Sequence, residues 1–231
     1  MLGPVINTVT VIICALIGTF LHGGIPDRFN DTIMKALGLT VLLLGLLGAF
    51  EVQHFVLLIF SMVFGSIIGE ILDIDANLDR MGKWIERKVG KGEGSVAKGF
   101  VTASLIFCVG SMAVVGALQS GLTGDHEMLI AKSIIDGFTS IILASTMGFG
   151  VIFSAVIIFI YEGGIAFGAS YIKDFLSAEV VNEISAVGGL LIAALGLNFL
   201  EIKRIKVANM LPALLIPFIY FIIKDFFPNV F

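Results

Sequence analysis

Charge is what this sequence most lacks: Asp, Glu, Lys and Arg make up 14% of its 231 residues, against 58% hydrophobic residues. A soluble domain of this length could not cover itself with so little polar surface, so lipid must be the solvent for most of the chain. The two cysteines, Cys14 and Cys108, both fall inside apolar runs and read as small packing residues, not as a disulfide or a metal pair. The three histidines, His22, His54 and His126, fall at loop ends, so no metal-ligand cluster appears at a usual spacing. A Gly-x-Ser-x-Gly elbow and a His-Glu-x-x-His pattern are missing too, and neither an enzyme nor a cofactor is expected. A formal net charge of -4 leaves no broad basic face, and no nucleic-acid partner is expected.

What is present is a series of apolar runs of roughly 17 to 25 residues, each long enough to cross a hydrocarbon core of about 30 Å as a helix. The runs lack sustained period-2 alternation, which disfavours a transmembrane β-barrel. The fold class is therefore all-α, a polytopic transmembrane bundle of about eight helices. The spans are Gly3 to Leu21, Thr32 to Phe50, Phe55 to Leu72, Gly99 to Leu118, Leu129 to Met147, Phe149 to Ala169, Asn182 to Leu200 and Val207 to Phe226. The first lacks a basic leader and a small-residue cleavage site, and reads as a retained helix. The fifth and sixth touch at Met147-Gly148-Phe149-Gly150, which permits a tight turn, a broken helix or one long kinked helix; seven spans is the competing count.

Orientation follows from Lys and Arg, which accumulate on the cytoplasmic side. With the N-terminus outside, that side receives eleven of the 14 basic residues, and only Lys132, Lys173 and Lys224 fall outside. The chain is expected in the inner (plasma) membrane, multi-pass, with both termini external. The connection from Asp73 to Lys98 carries Leu78, Met81, Trp84, Ile85 and Val89 at helical spacing among charges. It reads as an amphipathic helix along the cytoplasmic interface or as a solvated helix covering the bundle. Gly90 to Gly94 then forms a flexible joint; it lacks the phosphate-loop spacing.

Aligning Asp31–Gly45 with Asn182–Gly196 pairs Ile33 with Ile184, Gly38 with Gly189 and Gly45 with Gly196. The alignment relates the first three spans to the last three by an odd shift, which makes the two units an inverted repeat, an arrangement found in many secondary transporters. The competing explanation is chance likeness of glycine-rich helices. The whole chain, 1–231, is read as one integral membrane domain. Its parts are a first repeat over 1–72, the connection 73–98, central helices 99–147 and a second repeat over 149–231.

Polar groups inside the spans mark the candidate path. Ser133, Asp136, Gly137, Ser140 and Ala144 share one stripe of the fifth span, with Asp136 roughly 10 Å from its outer end. A carboxylate at that depth needs a partner or a wet cavity. Glu162 lies mid-span, followed by Gly163 and Gly164 as a weak point in the helix. Ser111, Gln119 and Ser120 interrupt the fourth run with hydroxyl and amide groups, as a cavity wall or as close packing through small residues. Asn7 and Asn209 are intramembrane amides, either interhelical contacts or path-lining groups. Pro212 and Pro217 should kink the last span.

Several strings resemble a bacterial membrane family named after YqgA and YdfK. They are Gly3-Pro-Val-Ile-Asn7, Gly65-Ser-Ile-Ile-Gly-Glu70, Leu122-Thr-Gly-Asp125, Ala131-Lys-Ser133 with Asp136, Ser185-Ala-Val-Gly-Gly-Leu-Leu191 and Asn209-Met-Leu-Pro-Ala-Leu-Leu215. They run in order along nearly the whole chain, and the departure is greatest at Gly110 to Ala113. The resemblance implies the architecture and adds almost nothing on mechanism, since the family is described only as a membrane protein of unknown function, often guessed to transport something. The expected function is thus a small secondary transporter or channel for a small solute or ion, with a non-transporting scaffold or sensor as the alternative. Expected partners are the lipid bilayer, an unidentified small solute or ion and a second copy of the chain, because eight short helices enclose little volume.

Overall fold

The computed structural model describes residues 1–21, 27–89, 96–109, 111–172 and 176–226. The joint at Gly90 to Gly94, His22, Gly110 and Lys173 lie outside the described residues, as do the side chains of Ser111, Met81, Ile85 and Val89. Among the described residues every element is helical: α1 (Leu2–Leu21), α2 (Asp27–Ala49), α3 (Phe55–Leu72), α4 (Ile74–Val89), α5 (Val96–Cys108), α6 (Ser111–Leu122), α7 (Glu127–Met147), α8 (Ser154–Ile172), α9 (Ala178–Phe199) and α10 (Leu215–Phe226). Stretches of 3-10 helix occupy Gly148–Phe153 and Val207–Leu214. In lipid a backbone must satisfy its own hydrogen bonds, and a helix does so within one segment. Faces turned outward are as apolar as the interior: Phe20, Phe138 and Phe167 are 86%, 68% and 83% exposed. The chain is a helical membrane protein.

Among the described residues, six helical stretches have the length and hydropathy to cross a membrane, or seven if α5 and α6, bent by 62°, make one span. One of the six, Glu127–Tyr171, contains 45 residues. A straight helix of that length would reach about 67 Å, more than twice the hydrocarbon thickness. Its packing shows that it folds back.

The described chain forms two compact units, Met1–Leu37 with Ala76–Cys108 and Met112–Tyr171, and Gly38–Asp75 with Val109–Ser111 and Ile172–Phe231. In the first unit α1 runs parallel to α7. A Cβ added to Gly3 would lie 2.8 Å from Leu129 Cδ1, one on Gly137 would lie 2.9 Å from Thr10 and 3.1 Å from Cys14 Sγ, and one on Gly18 would lie 2.9 Å from Ala144. The pair α5 and α6 runs the other way along α7. Gly99, near the start of α5, stands by Gly150 and Val151 past the far end of α7, whereas Gly116 in α6 stands by Met128 and Leu129 at its beginning. The described parts of α5 and α6 thus lie against opposite ends of α7. α8 also returns antiparallel: a Cβ on Gly121, beside the start of α7, would lie 2.7 Å from the Cβ of Ala169 in the last turns of α8. The reversal falls at Gly148, where φ is +74°, a conformation glycine adopts without strain. By length and hydropathy the described residues supply six or seven spans; the eight expected from sequence would need both a crossing α5–α6 pair and an α7–α8 hairpin of two spans. The parallel course of α1 and α7, the first and fifth, is what alternating crossings require.

In the second unit the Gly38–Ala49 part of α2 crosses α9 in the antiparallel sense. Gly38 packs on Phe199 and Leu200, and Gly48 on Gly189 and Ser185. α3 packs on the 3-10 stretch Val207–Leu214, with Gly65 facing Ala213 and Gly69 facing Asn209. Of the two prolines, Pro212 lies inside the 3-10 stretch and Pro217 sits in the first turn of α10. One expectation is overturned. Gly163 and Gly164 do not weaken the helix around Glu162; α8 runs unbroken through both. A backbone group freed there would find no water to bond to.

Candidate functional site

The polar center of the first unit is assembled from three helices. Asp136 is the tenth of the 21 residues of α7, and Glu162 the ninth of the 19 residues of α8, so both stand near the middle of their helices. Counted from Glu127, Asp136 lies about 14 Å along the axis, deeper than the sequence spans imply. Because α7 and α8 run antiparallel with their midpoints level, the two carboxylates face one level of the bundle. Asn7 of α1 bridges them. Its Nδ2 donates to Asp136 Oδ2 at 3.0 Å and to Glu162 Oε1 and Oε2 at 2.9 and 3.2 Å. Asn7 and Glu162 are fully buried, and Asp136 is 5% exposed.

Lys132 completes the group. Its ammonium pairs with Asp136 Oδ2 and lies 3.4 Å from Glu162 Oε1. The sequence reading set this lysine at the outer end with the external charges, but its side chain is only 8% exposed. The signal that could have found it is the spacing: Lys132 and Asp136 are four apart in a helix and share a face. Cys108, the last residue of α5, lies within electrostatic reach of Lys132, Glu162 and Asp136. The end of α5 therefore lies close to the cluster. Asn7 Oδ1 and Ser140 Oγ are buried without hydrogen-bond partners.

Formal charge is the main chemical property of the site. Two carboxylates face one ammonium and one amide, so with every group in its ordinary ionic form the cluster carries one uncompensated negative charge. An unpaired charge in such surroundings is costly. Binding a proton or a single monovalent cation removes the deficit. Among the described residues no group of three or more His, Cys, Asp and Glu side chains is placed to hold a metal ion.

The other candidate residues divide between the two units. Ser133 is buried next to the cluster, but its hydroxyl donates to the Leu129 carbonyl at 2.6 Å and so serves the helix backbone. Ser120 meets His126 Nδ1 at 2.9 Å and ties the end of α6 to the start of α7. Gln119 is half-buried, and its backbone carbonyl accepts from Thr123 Oγ1 at 2.9 Å. Asn209 belongs to the second unit and is not part of the cluster. Its Oδ1 accepts from the Asp75 N–H at 2.7 Å and its Nδ2 donates to Glu70 Oε2 at 2.5 Å. It thereby fixes the turn after α3, where Asp73 adopts the left-handed φ of +48°. Lys206 Nζ lies 2.8 Å from Glu70 Oε1, and that carboxylate holds the exposed Lys206 ammonium above its ordinary range. Sequence reasoning also passed over Glu183, fully buried in α9.

Comparison with known proteins agrees with the architecture and adds no chemistry. Residues 2–222 match the family described as "Protein of unknown function (DUF554)". The chain is 35% identical over 234 residues to the uncharacterized membrane protein YdfK of Bacillus subtilis (strain 168), covering 98% of each chain. It is 30% identical over 227 residues to the uncharacterized protein YqgA of Escherichia coli (strain K12), covering 93% of this chain and 94% of that one. No solved structure matches it. The match along almost the entire length, together with the ordered motifs, places this chain in the DUF554 family.

Proposed function

We propose that this protein is a small secondary transporter or channel of the bacterial inner membrane, and that Asp136 and Glu162 hold the proton or monovalent cation that it moves. The observation that carries this reading is the charge deficit: two carboxylates midway along their helices against one ammonium, all three buried. Ionisable groups at such depth are costly, and an ion or proton path is their default reading. Lys132 acts as an internal counter-cation, and Asn7 holds both acids at one level. Two further features support the reading. α5 ends at Cys108 beside the cluster, as helix ends do in many transporter sites. The antiparallel crossing of α2 and α9, the two segments aligned as a repeat, has the sense an inverted repeat demands.

A non-transporting scaffold or sensor is the second reading. It is favored by one observation: Asn7 and Lys132 already supply donors to both carboxylates, so the cluster can serve as a fixed cross-link between helices.

Proteoliposomes loaded with a pH-sensitive dye and given a sodium, potassium or proton gradient separate the two. Asp136→Asn and Glu162→Gln keep side-chain shape while removing charge. Flux that falls at least about tenfold in both variants, with unfolding temperature nearly retained, supports transport through these groups, a change equivalent to about 1.4 kcal/mol. Unchanged ion flux in well-folded variants removes the acids from any path and leaves the scaffold reading.

A further inference from the structure

A second charged group stands in the other unit and takes no part in the proposal above. Glu183, in the second turn of α9, is fully buried. Its Oε1 accepts from the backbone N–H groups of Gln53 (2.8 Å) and His54 (2.6 Å), which immediately precede α3. A carboxylate there satisfies donors that the helix cannot satisfy itself and meets the positive end of the helix dipole. His54 Nδ1 lies 3.2 Å from the same oxygen, and its Nε2 lies 3.3 Å from Oε1 of Glu179, one turn earlier in α9. From α10, Lys224 approaches Glu179 at 3.9 Å, and the Phe221 ring meets the imidazole edge-on at 5.9 Å. Oε2 of Glu183 is buried with no hydrogen-bond partner.

The donor inventory decides what this arrangement holds. A neutral imidazole has one N–H and one lone pair. Here both ring nitrogens have a carboxylate oxygen beside them, so the lone pair of a neutral ring would face an anion. The group is complete only with one more proton, on the ring or on a carboxyl. A metal ion is a poor substitute, since the two acids flank opposite edges of the ring and a single ion cannot reach both nitrogens.

We propose that His54, Glu179 and Glu183 form a proton-binding site that latches the start of α3 onto α9. With the proton in place, one imidazolium pairs with both carboxylates. Without it, one contact becomes repulsive, while Glu183 stays tied to the backbone of α3 and cannot turn away. The His54 side chain is 39% exposed whereas that of Glu183 is 0% exposed, so the proton is exchanged with water through the ring and the buried acid stays sealed. The sign is fixed by the bound form having the contacts. The latch is formed while the proton is bound and is lost when rising pH removes it.

Thermal unfolding of the full chain in lipid nanodiscs, at about pH 5.5 and about pH 8.5, tests this for the natural sequence, His54→Gln and Glu179→Gln. The amide that His54→Gln introduces can still donate to Glu183 but cannot take up the proton. Glu179→Gln leaves the Glu183 contacts with α3 untouched and keeps the test decisive if His54→Gln does not fold. The natural sequence should lose about 2 to 4 °C more than Glu179→Gln, and than His54→Gln where that variant folds, on going to the higher pH. Other titrating groups act alike in all the proteins and cancel in this difference. An equal pH dependence in the natural sequence and in the folded variants overturns the proposal.

Discussion

Lys132 and Asp136 form an ion pair one helical turn apart in the middle of the bundle, with side chains only 8% and 7% exposed. Removing one member of a buried pair strands the other. Lys132→Ala should therefore destabilise the protein by about 3 to 5 kcal/mol, because two buried carboxylates then share only the Asn7 amide. Adding Asp136→Asn to that variant should restore part of the loss, a coupling that a double-mutant cycle of thermal unfolding measures. Lys206 and Glu70 offer the contrast: the same chemistry at 2.8 Å, but 53% and 60% exposed. Lys206→Ala should leave the unfolding temperature nearly unchanged, since solvent screens such a pair.

Among the described residues, Asn7 is the neutral group that donates to both acids, and its identity should matter through charge more than shape. Asn7→Leu removes the donors and should cost about 1 to 3 kcal/mol. Asn7→Asp has nearly the same volume but brings a third carboxylate to a site already short of positive charge, so it should be the more damaging of the two. Comparing their unfolding temperatures in one detergent checks the order. Equal losses would mean that packing, not charge, governs the position.

Glycines offer a test of the packing. A Cβ on Gly45 would overlap the backbone of Ala193 and Gly189, whereas one on Gly164 meets nothing within 4 Å. Gly45→Ala should force α2 away from α9 and lower stability by about 1 to 3 kcal/mol, a cost of overpacking. Gly164→Ala should be neutral or stabilising by up to about 1 kcal/mol, since alanine is the better helix former. A destabilising Gly164→Ala would point to a second molecule packed on that face.

The parts of this fold legible in the sequence were those set by one-dimensional signals. Run length marked the spans, and the glycines of Met147–Gly150 marked a break between α7 and α8 without fixing whether it was a turn, a broken helix or a kink. The i, i+3, i+7 stripe found Asp136, and depth within a span found Glu162 and Asn7. Lys132 was missed because a charge near the end of an apolar run reads as interfacial; only the return of α8 puts Glu162 beside it and seals it from solvent. Asn209 was placed with the others for a reason equally local, its depth, and it went to a different unit because nothing in its own neighbourhood reveals which helix it will face. His54 and Glu183 are about 130 positions apart, and their contact depends on how α3 and α9 pack, which no local pattern encodes.

The broken α5–α6 span leads to the sharpest test of topology. Both halves are shorter than a membrane-crossing helix, and a pair bent by 62° could equally dip into the bilayer and return to the same side. The packing argues against a return, because Gly99 stands near Val151 at one end of α7 and Gly116 near Leu129 at the other. Single cysteines at Lys98, Asp125 and Lys203, in a background lacking Cys14 and Cys108, can be probed with a membrane-impermeant maleimide in intact cells. If α5–α6 crosses once and α7–α8 is a hairpin of two spans, Lys98→Cys and Lys203→Cys stay protected inside while Asp125→Cys labels. Labelling of Asp125→Cys on the same side as Lys98→Cys would make α5–α6 re-entrant. Labelling of Lys203→Cys on the side opposite to Lys98→Cys, with Asp125→Cys as expected, would instead mean that Glu127–Tyr171 crosses only once. The inward position of Lys98 and Lys203 also carries the charge rule, under which eleven of the 14 basic residues face the cytoplasm. A fully inverted pattern would keep the eight spans and overturn the external placement of both termini.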